Sequence, residues 1–225
     1  MVDLKEFEQK AADLRVLGMK ISIGQDTVYE KYWDEDCRRN IYSASKSFTS
    51  CAVGFAVQEG LIDLDERLVD AFKEDIPNNP DENLKKATVK DLLTMTLGQE
   101  KGFLMGKQRP RMEEQNWVKA SLAIPFVYEP GTHFVYNNVG PYLAGILVQR
   151  RAGCDLLSYL TPRLLKPLGI RKTIWEVDPE GNTFGAGGLF LTVSELHKLG
   201  MFYLQNGCWN GKKLLSKEWI HESTR

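Results

Sequence analysis

The sequence is short of the features that assign a chain quickly, and each shortage excludes something. No run of 18 apolar residues occurs, so no membrane-spanning helix is expected. The four cysteines, Cys37, Cys51, Cys154 and Cys208, lie far apart and none forms Cys-x-x-Cys. They read as free thiols of a reducing compartment. The three histidines, His133, His197 and His221, are dispersed and none sits in His-Glu-x-x-His, so no metal is expected. There is no Gly-x-Ser-x-Gly elbow. Gly185-Ala186-Gly187-Gly188 has neither phosphate-loop nor dinucleotide-fold spacing and reads as a backbone turn lining a cleft. With 29 basic and 30 acidic residues the formal net charge is -1, which leaves no basic excess for nucleic acid or an anionic membrane. The N-terminus, MVDLKEFEQK, is acidic and lacks a signal peptide's apolar stretch. A cytoplasmic location is expected, or a periplasmic or secreted one if a leader was removed. No internal repeat or low-complexity tract is found.

What remains is ordinary globular material: 225 residues, 43% apolar and 26% charged, enough for one full core. One stretch stands out. From Ser43 to Gly60 the sequence reads SASKSFTSCAVGFAVQEG. Phe48, Cys51, Ala52, Val53, Phe55, Ala56 and Val57 would point in every direction on a helix, the mark of a buried one. Ser43 is placed as its N-cap. Lys46 stands three residues on, where a capping box has Glu or Gln. A cation in the first turn opposes the helix macrodipole at about 0.3–1 kcal/mol. Such local conflicts are expected where function overrides stability.

Around that helix, periodicity predicts the following order. Residues 3–17 form a helix capped by Asp3, with Leu4, Phe7, Ala11 and Leu14 on one face. MKISI and TVYEKYW form a hairpin turned at Gly24. Short helical pieces follow Gly60. Thr88-x-x-Asp91 caps a helix closed by Gly98. Residues 99–115 read as an exposed loop, and Asn116–Ile124 as helical. A helix runs from about Val139 to Ala152, with Pro141 in its first turn. Another spans Asp155–Lys166, broken or kinked at Pro162. Thr192-x-x-Glu195 and Ser216 cap two further helices.

Ser43 and Lys46 share one helical face. A serine needs a base to act as a nucleophile, and burial can lower a lysine's pKa enough for it to serve. The N–H groups at a helix start can stabilise an oxyanion. Chance alone gives about 0.8 Ser-x-x-Lys match in such a composition, so only the context lifts this one. Tyr136-x-Asn138 follows a Pro-Gly turn and precedes a helix, where side chains can be aimed at a cleft. A phenol there could relay a proton to a leaving group. The asparagine amide could hold a substrate amide or the lysine. A packed tyrosine with Asn138 as N-cap accounts for the same residues.

Six blocks in order resemble the serine β-lactamase and penicillin-binding family, in its class C β-lactamase-related branch of esterases, D-peptidases and amide hydrolases. They are IYSASKSFTS, GLIDLDERL, TVKDLLTMTLG, EPGTHFVYNNVGPYLAGILV, PLGIRKTIW and AGGLFLTVSEL. The resemblance implies an α/β (α+β) fold: an antiparallel sheet flanked by helices, plus a helical lobe. One domain would span 1–225, with 1–35 and about 171–225 in the α/β lobe and about 36–170 in the helical lobe. It implies Ser43 as acylated nucleophile, Lys46 as base and Tyr136 as proton relay. Asn138, Gly187 and Gly188 would bind substrate, and no cofactor or metal is implied. The partner would be a small-molecule or peptide substrate: a β-lactam, a D-amino peptide or a small ester. Met95 and Leu97 stand where relatives often have His and Ser. Relatives end in strands bearing Lys-Thr-Gly or His-x-Gly, and none is found here. The chain is therefore expected to be C-terminally truncated, with self-association through an open sheet edge. A carboxylesterase is the second reading. A non-catalytic relative that binds a peptide or partner chain is the third.

Overall fold

A computed structural model describes residues 4–11 and 13–224. The chain opens with helix α1 (Lys5–Ala11) and the antiparallel strands β1 (Gly18–Ile23) and β2 (Asp26–Tyr32). Asp3, the predicted cap, lies outside the described residues. The helix also ends before Leu14, which is exposed. The hairpin register runs from Gly18 opposite Tyr32 to Ile23 opposite Asp26, with an irregularity between Ile21 and Ser22. Gly24 takes a left-handed φ of 60° at the turn, a conformation costly for residues with a Cβ.

Next come β3 (Arg39–Asn40), a 3₁₀ turn over Tyr42–Ala44 and α2 (Ser45–Gln58). Short helices α3 (Leu68–Ala71), α4 (Glu82–Lys86) and α5 (Val89–Thr94) follow, then α6 (Trp117–Leu122), α7 (Val139–Ala152) and α8 (Leu156–Leu160). A π-turn at Thr161–Leu165 carries Pro162. The chain continues through β4 (Phe190–Leu191), α9 (Val193–Leu204), β5 (Cys208–Trp209), β6 (Lys212–Lys213) and α10 (Lys217–Glu222). Among the described residues, antiparallel pairing comprises three two-stranded ladders, β1–β2, β3–β4 and β5–β6, and isolated bridges such as Trp175 with Leu189. The β3–β4 pair, Arg39 opposite Leu191 and Asn40 opposite Phe190, joins the segment before α2 to the segment after the glycine passage.

Helix α2 is buried all round, as its uncharged run predicted. It packs on α7, whose apolar residues are likewise buried on every side. Helix α7 crosses α5 closely: a Cβ on Gly140 would enter the Leu92 backbone. The capping boxes Thr88–Asp91 and Thr192–Glu195 both form.

Two expectations fail. Helix α5 ends at Met95, not Gly98, because Met95 itself adopts φ 57° and its N–H returns to Asp91 O. Residues 99–115 are not simply an exposed loop: Gln99 and Leu104 are fully buried. The Gln99 amide donates to Ser121 O at 2.9 Å, which stands in for periodicity as the anchor of this segment. Among the described residues, the main apolar cluster draws no member from before Ile41.

Candidate active site

The site is assembled by one turn, one helix start and one glycine passage. Ser43 does not cap α2. It lies in the 3₁₀ turn, the N-cap is Ala44, and no side chain caps the helix. The Ser43 hydroxyl is therefore not spent on a helix N–H. Tyr42, just before it, holds φ 48°, a left-handed conformation that costs an L-residue about 1–2 kcal/mol. Its N–H donates to Asn40 Oδ1 at 2.7 Å, an Asx turn that offsets part of that strain. The Ser43 N–H has no acceptor among the described residues.

From α2, three side chains reach the passage 185–189. Ser45 Oγ accepts from the Leu189 N–H at 3.1 Å, and the Thr49 hydroxyl donates to Gly185 O at 2.7 Å. Lys46 Nζ donates to Ala186 O at 2.6 Å and to Asn138 Oδ1 at 2.8 Å, and lies 3.2 Å from Ser43 Oγ. Tyr136 donates its phenolic hydrogen to the same Oγ at 2.7 Å, and Lys46 Nζ stands 5.3 Å from the centre of the Tyr136 ring. Ser43, Lys46, Tyr136 and Asn138 are thus brought together. A cavity of about 430 Å³ opens beside Lys46, lined by Leu64, Leu93, Met95, Phe134 and Trp219. Ser43 is not in its lining.

Burial holds the Lys46 amine below the ordinary lysine range, and the nearby Arg109 charge adds to this. Burial alone would push Tyr136 up. The hydrogen bond to Ser43 and the Lys46 charge outweigh it, so the phenol also lies below its usual value. Carbonyl oxygens only accept hydrogen bonds. In a neutral amine, both hydrogens are therefore committed to Ala186 O and Asn138 Oδ1, and the lone pair is left for the Ser43 O–H.

Asn138 lies against the lysine and is largely buried. It is 9% exposed, its Nδ2 donates to Leu104 O at 2.9 Å and its Oδ1 receives Lys46. Each end of the amide thus has one partner within the protein, the lysine at its oxygen and a backbone carbonyl at its nitrogen. Gly187 lends its carbonyl to Trp175 Nε1 at 2.7 Å. A Cβ on it would stand 3.8 Å from Tyr42 O, beside the Ser43 turn. At Gly188, φ is 82° and a Cβ would fall 2.5 Å from Glu176 Cβ. That glycine is needed for close passage. Missed in the sequence were the carbonyls of Ala186 and Leu104, because backbone groups carry no residue signature.

Comparison with known proteins follows this geometry. Residues 5–224 match the Beta-lactamase family, and the chain belongs to it. It is 32% identical over 157 residues to monacolin J acid methylbutanoyltransferase of Aspergillus terreus, covering 61% of this chain and 37% of that protein. It is 31% identical over 150 residues to lovastatin esterase of Penicillium rubens, covering 57% and 37%. A putative 6-aminohexanoate-dimer hydrolase from Bacillus anthracis shares the fold, with TM-score 0.82 and 20% identity over 96% of this chain and 61% of that one. The chain thus spans little more than a third of the length of these curated relatives. No helix among the described residues is long and apolar enough to cross a membrane.

Proposed function

We propose that this protein is a serine hydrolase or acyl-transfer enzyme that works through an acyl-enzyme on Ser43. The observation that carries the reading is the convergence on Ser43 Oγ of Lys46 Nζ at 3.2 Å and the Tyr136 hydroxyl at 2.7 Å. Lys46 accepts the Ser43 proton as Oγ bonds to the substrate carbonyl carbon. The Ser43 N–H supports the oxyanion, a contribution of about 2.7–4 kcal/mol where such a donor has been removed. The proton then passes from Lys46 by way of Tyr136 to the departing oxygen or nitrogen as the carbonyl–heteroatom bond breaks. In the second half, water or an alcohol attacks the acyl carbon and gives up its proton to the same pair. Oγ leaves as the regenerated hydroxyl. Substrates are an ester or amide acyl donor. An ester is favoured by the likeness to an esterase and an acyltransferase.

The test is covalent labelling. A fluorophosphonate should add one phosphonyl mass to the wild type, at the peptide containing Ser43, and none to Ser43→Ala. An unlabelled wild type, or equal labelling of both proteins, overturns the reading and favours a partner-binding role.

A further inference from the structure

Outside the reacting groups, one residue links the segment before Ser43 to the glycine passage that holds Lys46. Glu176 Oε1 accepts from Asn40 Nδ2 at 3.1 Å. Its Oε2 accepts from Arg109 Nη1 at 3.3 Å. Its backbone brackets the glycine passage: the Glu176 N–H donates to Gly188 O and the Phe184 N–H to Glu176 O, both at 2.9 Å. Between those anchors lies Ala186, the carbonyl that holds Lys46. At the far end of the side chain, Asn40 Oδ1 holds the N–H of Tyr42, the residue strained at φ 48° beside Ser43.

The chemistry of these partners gives the carboxylate a specific task. An asparagine amide has one accepting and one donating end. Flipped, its NH₂ would face the Tyr42 N–H and its oxygen would face the carboxylate. An ionised Glu176 accepts only, so it fixes Asn40 in the orientation that accepts from Tyr42. Arg109 in turn fixes Glu176. Its guanidinium is seated 4.2 Å from the centre of the Phe184 ring, and Phe184 is itself fully buried at the start of the passage. Gly188 completes the fit, since any Cβ there would displace Glu176.

We infer that Glu176, held by Arg109 and acting through Asn40, is a positioning residue that keeps the Ser43 turn and the Lys46-holding passage in register. It touches none of the reacting groups. The inference rests on the acyl-enzyme reading above and adds to it residues from segments that carry no motif.

The experiment is the second-order rate of fluorophosphonate labelling, followed by intact mass, in wild type, Glu176→Ala, Glu176→Gln and Asn40→Asp. A displacement of about 1 Å at a reacting group can cost about 10²-fold. Glu176→Ala is expected to slow labelling by about 10- to 100-fold, with the shape of its pH profile changed. Glu176→Gln, which can still accept from Asn40, should recover part of the rate. Asn40→Asp sets two carboxylates face to face and should slow labelling comparably. The combined variant Glu176→Ala/Asn40→Ala should be no slower than Glu176→Ala, since both break one chain of contacts. Amide exchange of the peptide spanning Ile41–Ser47 gives a readout independent of chemistry and should quicken in each variant. If the wild type labels and Glu176→Ala matches it, the inference fails while the acyl-enzyme reading stands. If the wild type does not label, that reading fails and the exchange data alone judge the clamp. Unchanged exchange overturns it. Should Glu176→Ala not fold, the Glu176→Gln and Asn40→Asp pair decides by the same two measurements.

Discussion

At the scale of single residues, the most informative is Lys46. An ammonium has no lone pair, so in the proposed reaction acylation would be carried by the fraction of molecules in which Lys46 is neutral. Its pKa is lowered by burial, so that fraction grows through a pH range below the ordinary lysine value of about 10.4. The labelling rate should therefore rise with pH along one limb whose midpoint lies below that value. Lys46→Arg keeps the charge and roughly the length, but a guanidinium does not deprotonate. Its rate should fall by about 10²–10⁴-fold, the usual worth of a general base, and the limb should vanish. A variant retaining the wild-type limb would move the base to another group. At this scale the sequence was legible where identity carries chemistry: the hydroxyl, the amine and the phenol are visible as letters at recognisable spacing. It was illegible where geometry decides. The packing of Asn138 is one case: its bond to the buried Leu104 carbonyl is to a backbone group that carries no residue signature.

At the scale of elements, periodicity and capping chemistry read well. The 14-residue helices α2 and α7 and both capping boxes follow from local rules. Segment 99–115 did not, because it is pinned by single buried contacts such as Gln99 with Ser121 rather than by a repeating face. Helices α5 and α7 cross closely at Gly140, whose N–H is held by Asn137 Oδ1 at 3.0 Å. Gly140→Ala would drive a methyl group into the Leu92 backbone. Neither helix backbone can yield without shifting the start of α7, the element that follows directly on Tyr136 and Asn138. Overpacking of this kind costs about 1–3 kcal/mol. Urea unfolding should show a lower midpoint at unchanged slope, together with slower labelling of Ser43. A variant as stable as the wild type would mean that the two helices do not approach this closely.

At the scale of the whole molecule, stability is unevenly placed. Helices α2 and α7 lie within the cluster of buried side chains. The β1–β2 hairpin contributes no fully buried residue, since every position is half-buried or exposed. A two-stranded hairpin is marginal alone, and this one is clipped to its neighbours largely by polar contacts. Ser22 meets His197 at 3.0 Å and Tyr32 meets Ser194 at 2.8 Å on α9, while Glu8 of α1 takes both Tyr29 and Lys31. Exposed polar contacts of this type stabilise far less than apolar burial. The hairpin should therefore open well below the global unfolding free energy. In native-state hydrogen exchange, amides of residues 18–32 should exchange through local opening, with little dependence on the stability of the whole. Amides in the middle of α2 and α7 should exchange only through global unfolding and should slow or quicken with it in the Gly140→Ala variant. Equal protection of hairpin and helices would show that the hairpin is bound into the same cooperative unit.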